Sequence, residues 1–331
     1  MSLTSPDATT LERLLSAAIA APSMHNTQPW RFRFDADSRT VEIHAAPERS
    51  LPHEDPHGRA LHLAAGAALF NLRVAALRLG WNAMPRLLPD PDHPGLLATV
   101  RLAPNPAPSG THHPGLYEAI GRRHSSRSPF TGVRPPVATL RELTEAAHAE
   151  GALLSLPDRA ETARLLEITA YAERRNHADA LRSTESRRAL VPDAYGPDSG
   201  FGIPSAALGP QDSFERLPMR DFSATPRPRR LRSEAFEHAP TLGVLTTAHD
   251  RRVDWLRSGE ALQHVLLLAT AHGLRTSLLH QAMEWPDLRA RLRAAHRPGD
   301  HVQMLVRLGY GPAGPVTPRR APEHVLNGLT E

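Results

Sequence analysis

Three segments of this chain return later in it, in the same order, and this restricts the fold more than any other feature of the sequence. LERLLSAAIA at 11–20 is echoed by LRELTEAAHA at 140–149, 129 positions on. Gly66, Ala68, Leu69, Ala76 and Gly80 are echoed 193 positions on by Gly259, Ala261, Leu262, Ala269 and Gly273, inside long apolar helical patterns that each stop at a glycine. Thr99-Val-Arg-Leu-Ala-Pro is echoed by Leu305-Val-Arg-Leu-Gly-Tyr, 206 positions on, as a short alternating strand pattern closing each half. The repeat predicts two related halves, 1–110 and 111–331, joined through the Pro-rich stretch Ala103–Pro114.

Each half reads as helices packed on a small sheet, an α+β pattern with two pseudo-symmetric, mainly antiparallel sheets. The expected strands are Trp30–Phe34 and Thr40–Ala45, a hairpin, then Leu97–Ala103, Ala152–Leu156, Thr241–Thr247 and Val302–Leu308. The change of offset from 129 to 193 gives the second half an insertion of about 64 residues at roughly 160–240. Arg159–Leu190 reads as a long helix or a helical pair, and Val191–Arg230, dense in Pro and Gly, as a lid or a mobile linker. Phe201-Gly-Ile and Phe214 are its expected apolar anchors; Tyr195, Phe201 and Phe214 read as stacking residues or as core of the insertion.

Charge excludes one class of function. The chain carries 39 basic and 35 acidic residues, and no lysine among them, so a pI near 10.2 reflects arginine chemistry rather than a cationic surface. RPRRLR at 227–232 is followed at once by Glu234 and Glu237, so neither nucleic acid nor a membrane surface is an expected partner. Cysteine is absent, which removes disulfides, thiolate catalysis and Cys-based metal centres. The apolar run Leu61–Leu79 is broken by His62, Asn71, Arg73 and Arg78 and reads as a core helix, and the N-terminus lacks the pattern of a signal peptide, so a cytoplasmic protein is expected.

Three polar constellations stand out. Arg122-Arg-His-Ser-Ser-Arg127 gathers three guanidinium groups and two hydroxyls at a helix end, which suits either phosphate binding or a solvated surface turn. Ala21–Trp30 (APSMHNTQPW) reads as an extended connector whose backbone either binds a planar ligand or merely caps the first helix. His53-Glu-Asp-Pro-His57 has metal-ligand residue types, but its place before Gly58–Gly80 also fits a loop leading into a helix.

A-P-S-x-x-N-x-Q-P-W and R-R-x-S-x-R together resemble the signatures of the nitroreductase family of flavin enzymes. APSMHNTQPWRF with GAALFNLR at 66–73 is most similar to the Acg-like branch, in which two such halves are fused. The resemblance implies a non-covalent FMN at a site built from both halves. Arg123 would hold the phosphate, Ser125 the phosphate or ribityl chain, and Arg127 would lie near N1 and O2 of the ring. Pro22, Ser23, Met24 and Asn26 would contact ring and ribityl tail. A backbone N–H near His280 and Gln281 would face N5, and Arg319 and Arg320 would add phosphate contacts. Here the order of the two motifs is reversed and each half carries only one, which implies an intramolecular pseudo-dimer with a single flavin, monomeric or weakly homodimeric. The expected activity is hydride transfer from NAD(P)H to FMN and on to a nitroaromatic, quinone or similar small acceptor. The alternative is a flavin-binding or sequestering protein with a lidded FMN and little NAD(P)H turnover.

Overall fold

The structure, a computed structural model, describes residues 5–105, 114–191, 200–222, 232–297 and 299–326. Tyr195, most of the expected linker and all of the basic run but Arg232 lie outside these residues.

The first half begins with α1 (Ala8–Ile19), started by the Asp7 carboxylate, which accepts from Thr10 N at 2.8 Å, and burying Leu11, Leu14, Leu15 and Ala18. The hairpin β1 (Trp30–Asp35) and β2 (Thr40–Ala45) follows, with Trp30 opposite Ala45 and Asp35 opposite Thr40. Next come α2 (Arg59–Arg78), β3 (Trp81–Leu87) and β4 (Leu96–Pro104), and the four strands form an antiparallel sheet in the order β1-β2-β4-β3.

The second half repeats this plan. After the short α3 (Leu116–Arg122) come α4 (Val137–Ala149), β5 (Leu153–Ser155), α5 (Arg159–Ala178) and α6 (Ala180–Arg188). The two-residue strands β6 (Leu190–Val191), β7 (Ile203–Pro204), β8 (Gln211–Asp212) and β9 (Ser233–Glu234) then lead to β10 (Thr241–Thr247), α7 (Arg252–Ala271), β11 (Arg275–Leu279), α8 (Pro286–Ala295) and β12 (His301–Gly309). Its antiparallel sheet runs β5-β10-β12-β11, the same order as the first. The register shifts at matching places, between Ile43 and His44 on β2 and between Leu245 and Thr246 on β10.

α2 and α7 cross at the centre, and the two glycines paired by the repeat are the crossing point. A Cβ on Gly66 would stand 2.0 Å from the Leu256 carbonyl oxygen, and one on Gly259 would stand 2.1 Å from that of Leu63. Gln263 donates to Asn71 Oδ1 at 2.7 Å across the same contact, and Asn71 donates to Ala17 O. α2 is long and apolar enough to cross a membrane by composition, yet it is mostly buried between the two sheets.

The strands β3 and β11 were not expected. Both are edge strands, and β3 is largely exposed with Pro85 within it, so neither carries the buried alternation by which a strand is recognised. In the insertion, Arg159–Leu190 resolves into the helical pair α5 and α6, broken at Asp179, whose carboxylate accepts from Leu181 N and Arg182 N. Of the expected anchors, Ile203 is buried, whereas Phe201 and Phe214 are exposed, resting on Arg49 and Arg216. Leu217 and Met219 pack with α5 and α8, and Ile203, Ala207, Leu208 and Phe222 form a small apolar cluster of their own.

Candidate functional site

The connector at 21–30 is not extended. Residues Met24–Asn26 form a tight turn, and His25, Asn26 and Gln28 adopt φ of 52°, 58° and 50°, left-handed conformations that cost free energy in non-glycine residues. Side chains hold the strain in place. Gln28 N donates to Ser23 Oγ at 2.9 Å, Asn26 Nδ2 donates to Gly202 O and Pro318 O, both at 2.8 Å, and Gln28 Nε2 donates to Gly200 O. The turn is thus stitched to both the insertion and the C-terminal segment.

Against this turn lies a polar recess lined by Ser23, Asn26, Arg123, Ser125, Arg127, Thr317 and Arg319. Arg123 caps α3 and is 3% exposed; its guanidinium donates to Ala20 O at 3.3 Å, and among the described residues its Nε has no partner. Arg319 donates to Asn26 Oδ1 at 2.8 Å and also leaves Nε without a partner. Burial pushes Arg123 down to about 9, with Arg319 beside it adding repulsion, and pushes Arg319 down to about 10. Arg127, pushed down to about 10 by burial and by Arg220, donates to Ala207 O at 2.8 Å. Among the described residues, none of the three makes an ion pair with a carboxylate. A buried cation in the state of Arg123 is costly until an anion joins it, and guanidinium forks with nearby hydroxyls are the donor set for phosphate.

The recess opens into a cleft of about 890 Å³ of empty space, solvent at its mouth included. One wall is apolar, from Leu63, Ala64 and Ala67 on α2, Leu262 on α7 and Met304 on β12. The opposite wall is ionic. Glu54 Oε2 meets His25 Nε2 at 2.5 Å, Glu54 Oε1 accepts from Ser186 at 2.6 Å and from Arg220, and Arg220 reaches Glu284 Oε1 at 2.5 Å. Glu284 also accepts from His280 Nδ1 at 2.8 Å and from Asn176 at 2.8 Å. Burial alone would raise the Glu54 carboxyl, but His25 and Arg220 outweigh it and hold the group well below the usual carboxylate range. Burial works against the Arg220 charge, and Glu284, Glu54 and Glu173 keep it more firmly protonated than an ordinary arginine.

Of the residues expected at the site, Pro22, Ser23, Met24, Asn26, Arg123, Ser125, Arg127, His280 and Arg319 line the recess or the cleft. Gln281 and Arg320 do not: the Gln281 amide donates to Pro218 O, and Arg320 turns towards Trp30 O and His324 O. Arg122 points outwards and donates to Glu118 O. In the 53–57 segment, His53 and His57 are exposed, while Asp55 accepts from Ala60 N and Leu61 N and so starts α2. Sequence reasoning missed His25, Glu54, Arg59, Arg220 and Glu284. His25 and Glu54 each lay inside a segment already singled out, whereas Arg220 and Glu284 carried no local signal.

The Nitroreductase family model matches residues 120–310. A Mycobacterium tuberculosis H37Rv protein named "Putative NAD(P)H nitroreductase Rv3131" is 31% identical over 326 residues, covering 97% of this chain and 92% of its own length. "Putative NAD(P)H nitroreductase acg" from the same strain is 30% identical over 331 residues, covering 96% of this chain and 95% of its own. Among solved structures, the FMN and NADPH-dependent nitroreductase NfnB from sphigopyxis sp. strain HMH aligns at 16% identity and a TM-score of 0.41, over 65% of this chain and 99% of that one.

Proposed function

The chain belongs to the nitroreductase family, and from that premise we propose that it is an FMN-dependent oxidoreductase with one flavin site per chain. The observation that carries this reading is the pair of a buried Arg123 and a half-buried Arg319, side by side and, among the described residues, without a carboxylate, next to an apolar slot. The donor set fits the group. Arg123 and Arg319, with Ser125, would hold the phosphate; Arg127 would stabilise negative charge on the ring; the α2 and α7 wall would pack against the ring face. FMN, when bound, supplies the two-electron carrier between NAD(P)H and a nitroaromatic, quinone or similar acceptor.

The residues of the chain then bind, orient and exclude water. Ser126 N donates to Thr276 O at 2.8 Å and its hydroxyl to Pro312 O, which fixes the loop bearing Ser125 and Arg127 to the edge of the second sheet. The strained turn at 24–28 belongs to the 1–110 half and the Arg motif to the 111–331 half, which supports reading the chain as an intramolecular pseudo-dimer. Released flavin measured against protein tests the proposal: close to one FMN per chain is expected. A ratio near two would overturn the single-site reading, and no FMN would overturn the whole.

A second reading has its own observation. The insertion sends Ile203 and Ala207 into the recess and Arg220 into the ionic wall, and its Gly200 and Gly202 carbonyls accept from the strained turn. A flavin placed there would lie under the insertion, which favours a sequestering protein with little NAD(P)H turnover. Anaerobic stopped-flow bleaching of the flavin by NADH and NADPH separates the two: rapid bleaching supports the enzyme, none supports sequestration.

A further inference from the structure

The binding roles above leave two histidines of the ionic wall without a task. His25 and His280 come from opposite halves, their ring centroids lie 5.9 Å apart, and each is backed by its own glutamate. The hydrogen bonds assign the tautomers: His25 carries its proton on Nε2, towards Glu54, and His280 on Nδ1, towards Glu284. His280 Nε2 is then the ring nitrogen that has no partner among the described residues, on a residue lining the cleft.

Resting on the flavin reading, we propose that His280 takes up the proton that accompanies two-electron reduction of the cleft and passes it to the acceptor. The groups facing His280 are Glu284 on its own turn, Arg220 from the insertion, and His25 with Glu54 from the first half; Arg127, Arg59 and Asp55 line the same cleft. Burial is the largest influence and favours the neutral ring, Glu284 opposes it, and Arg220 and His25 reinforce it. At rest the ring is therefore an uncharged acceptor. Two electrons bring negative charge into the cleft, and negative charge nearby favours the imidazolium. Glu284 already bonds Nδ1, so the ring needs no reorientation to gain a proton at Nε2.

This assigns a class of acceptor: one whose reduced form carries a new O–H, as when a quinone becomes a hydroquinone. Such a reduction takes two electrons and two protons. One hydrogen would arrive as hydride from the flavin reduced by NAD(P)H, which is thereby reoxidised, and the second as the proton that His280 Nε2 took from solvent on reduction, delivered to the carbonyl oxygen that becomes hydroxyl. The imidazole is left neutral, as it began, so charge and atoms balance.

A spectroelectrochemical titration of the FMN-loaded protein between about pH 7.5 and 8.5, where the reduced flavin is the N1 anion and holds one added proton, tests the assignment. Each proton taken up with two electrons moves the midpoint by about 30 mV per tenfold change in proton concentration. Two protons are expected for the wild type, one on the flavin and one on His280, and one proton for His280→Gln. His280→Asn is the second variant should the glutamine fail to retain flavin. A wild type that takes up one proton overturns the assignment without any variant, and so does a variant that still takes up two. A protein that cannot be loaded with FMN overturns the flavin reading itself, which that loading step reveals before any potential is measured.

Discussion

At the scale of single residues, the arginines of the recess are the clearest case of a sequence signal with a tertiary cause. R-R-x-S-x-R marked Arg123 and Arg127, but only the fold shows that Arg122, chemically the same, points into water. A buried, unpaired Arg123 makes two opposed predictions. Arg123→Met is expected to weaken FMN binding by about 10- to 150-fold, the loss of a charge-assisted hydrogen bond of roughly 1.5–3 kcal/mol. The same change is expected to stabilise the flavin-free protein by about 1–4 kcal/mol, because it removes an uncompensated buried charge. Flavin-binding and denaturant titrations of variant and wild type measure the two effects, and a destabilised apo-variant would contradict the account of Arg123. His57→Ala, at an exposed loop position, is expected to leave FMN affinity unchanged. His25, Glu54, Arg220 and Glu284 show the reverse situation: each is an ordinary polar residue locally, and they form a network only because chain positions 25 to 284 meet.

At the scale of elements, the repeat marked α2 and α7 as matching helices through their glycine spacing, but their crossing at Gly66 and Gly259 is visible only in the fold. Gly259→Ala sets a Cβ 2.1 Å from a backbone oxygen, which no rotamer can relieve. It is expected to lower stability by about 1–3 kcal/mol or more despite alanine's better helix propensity, read as a fall in thermal midpoint. The same offset shows where the two central helices differ. Ala67 lines the cleft on α2, whereas its counterpart on α7 is Glu260, buried and bonded to Arg73, which also binds Glu150. Burial, opposed by Arg73, pushes Glu260 up to about 7. A carboxyl raised above its ordinary 4.5 gives stability that is fully present below that pH and is lost as pH rises through about 7. Glu260→Gln is therefore expected to flatten the decline in stability between about pH 5 and 8; denaturant midpoints across that range decide, and an unaltered slope would place the titration elsewhere.

At the scale of the whole molecule, the insertion borders the recess. Its contact with the recess rests on the small cluster of Ile203, Ala207, Leu208 and Phe222. The double change Ile203→Ala with Leu208→Ala loosens that cluster by about 2–5 kcal/mol per deleted side chain, without altering Arg220 or its glutamates. Faster bleaching by NAD(P)H or dithionite in rapid-mixing absorbance is expected if the insertion covers the flavin, and an unchanged rate would favour an open oxidoreductase. The repeat, the β1–β2 hairpin, the central helices and the two ligand motifs were readable from the chain because each depends on local periodicity or on residue types spaced within one element. The edge strands, the left-handed turn at 24–28, the insertion's anchors other than Ile203 and the His–Glu–Arg wall were not. They arise where segments far apart in the chain become neighbours, and burial there changes the meaning of a polar side chain: a glutamate that would be solvent-facing in a loop becomes, in the folded molecule, one half of a buried ion pair beside the cleft.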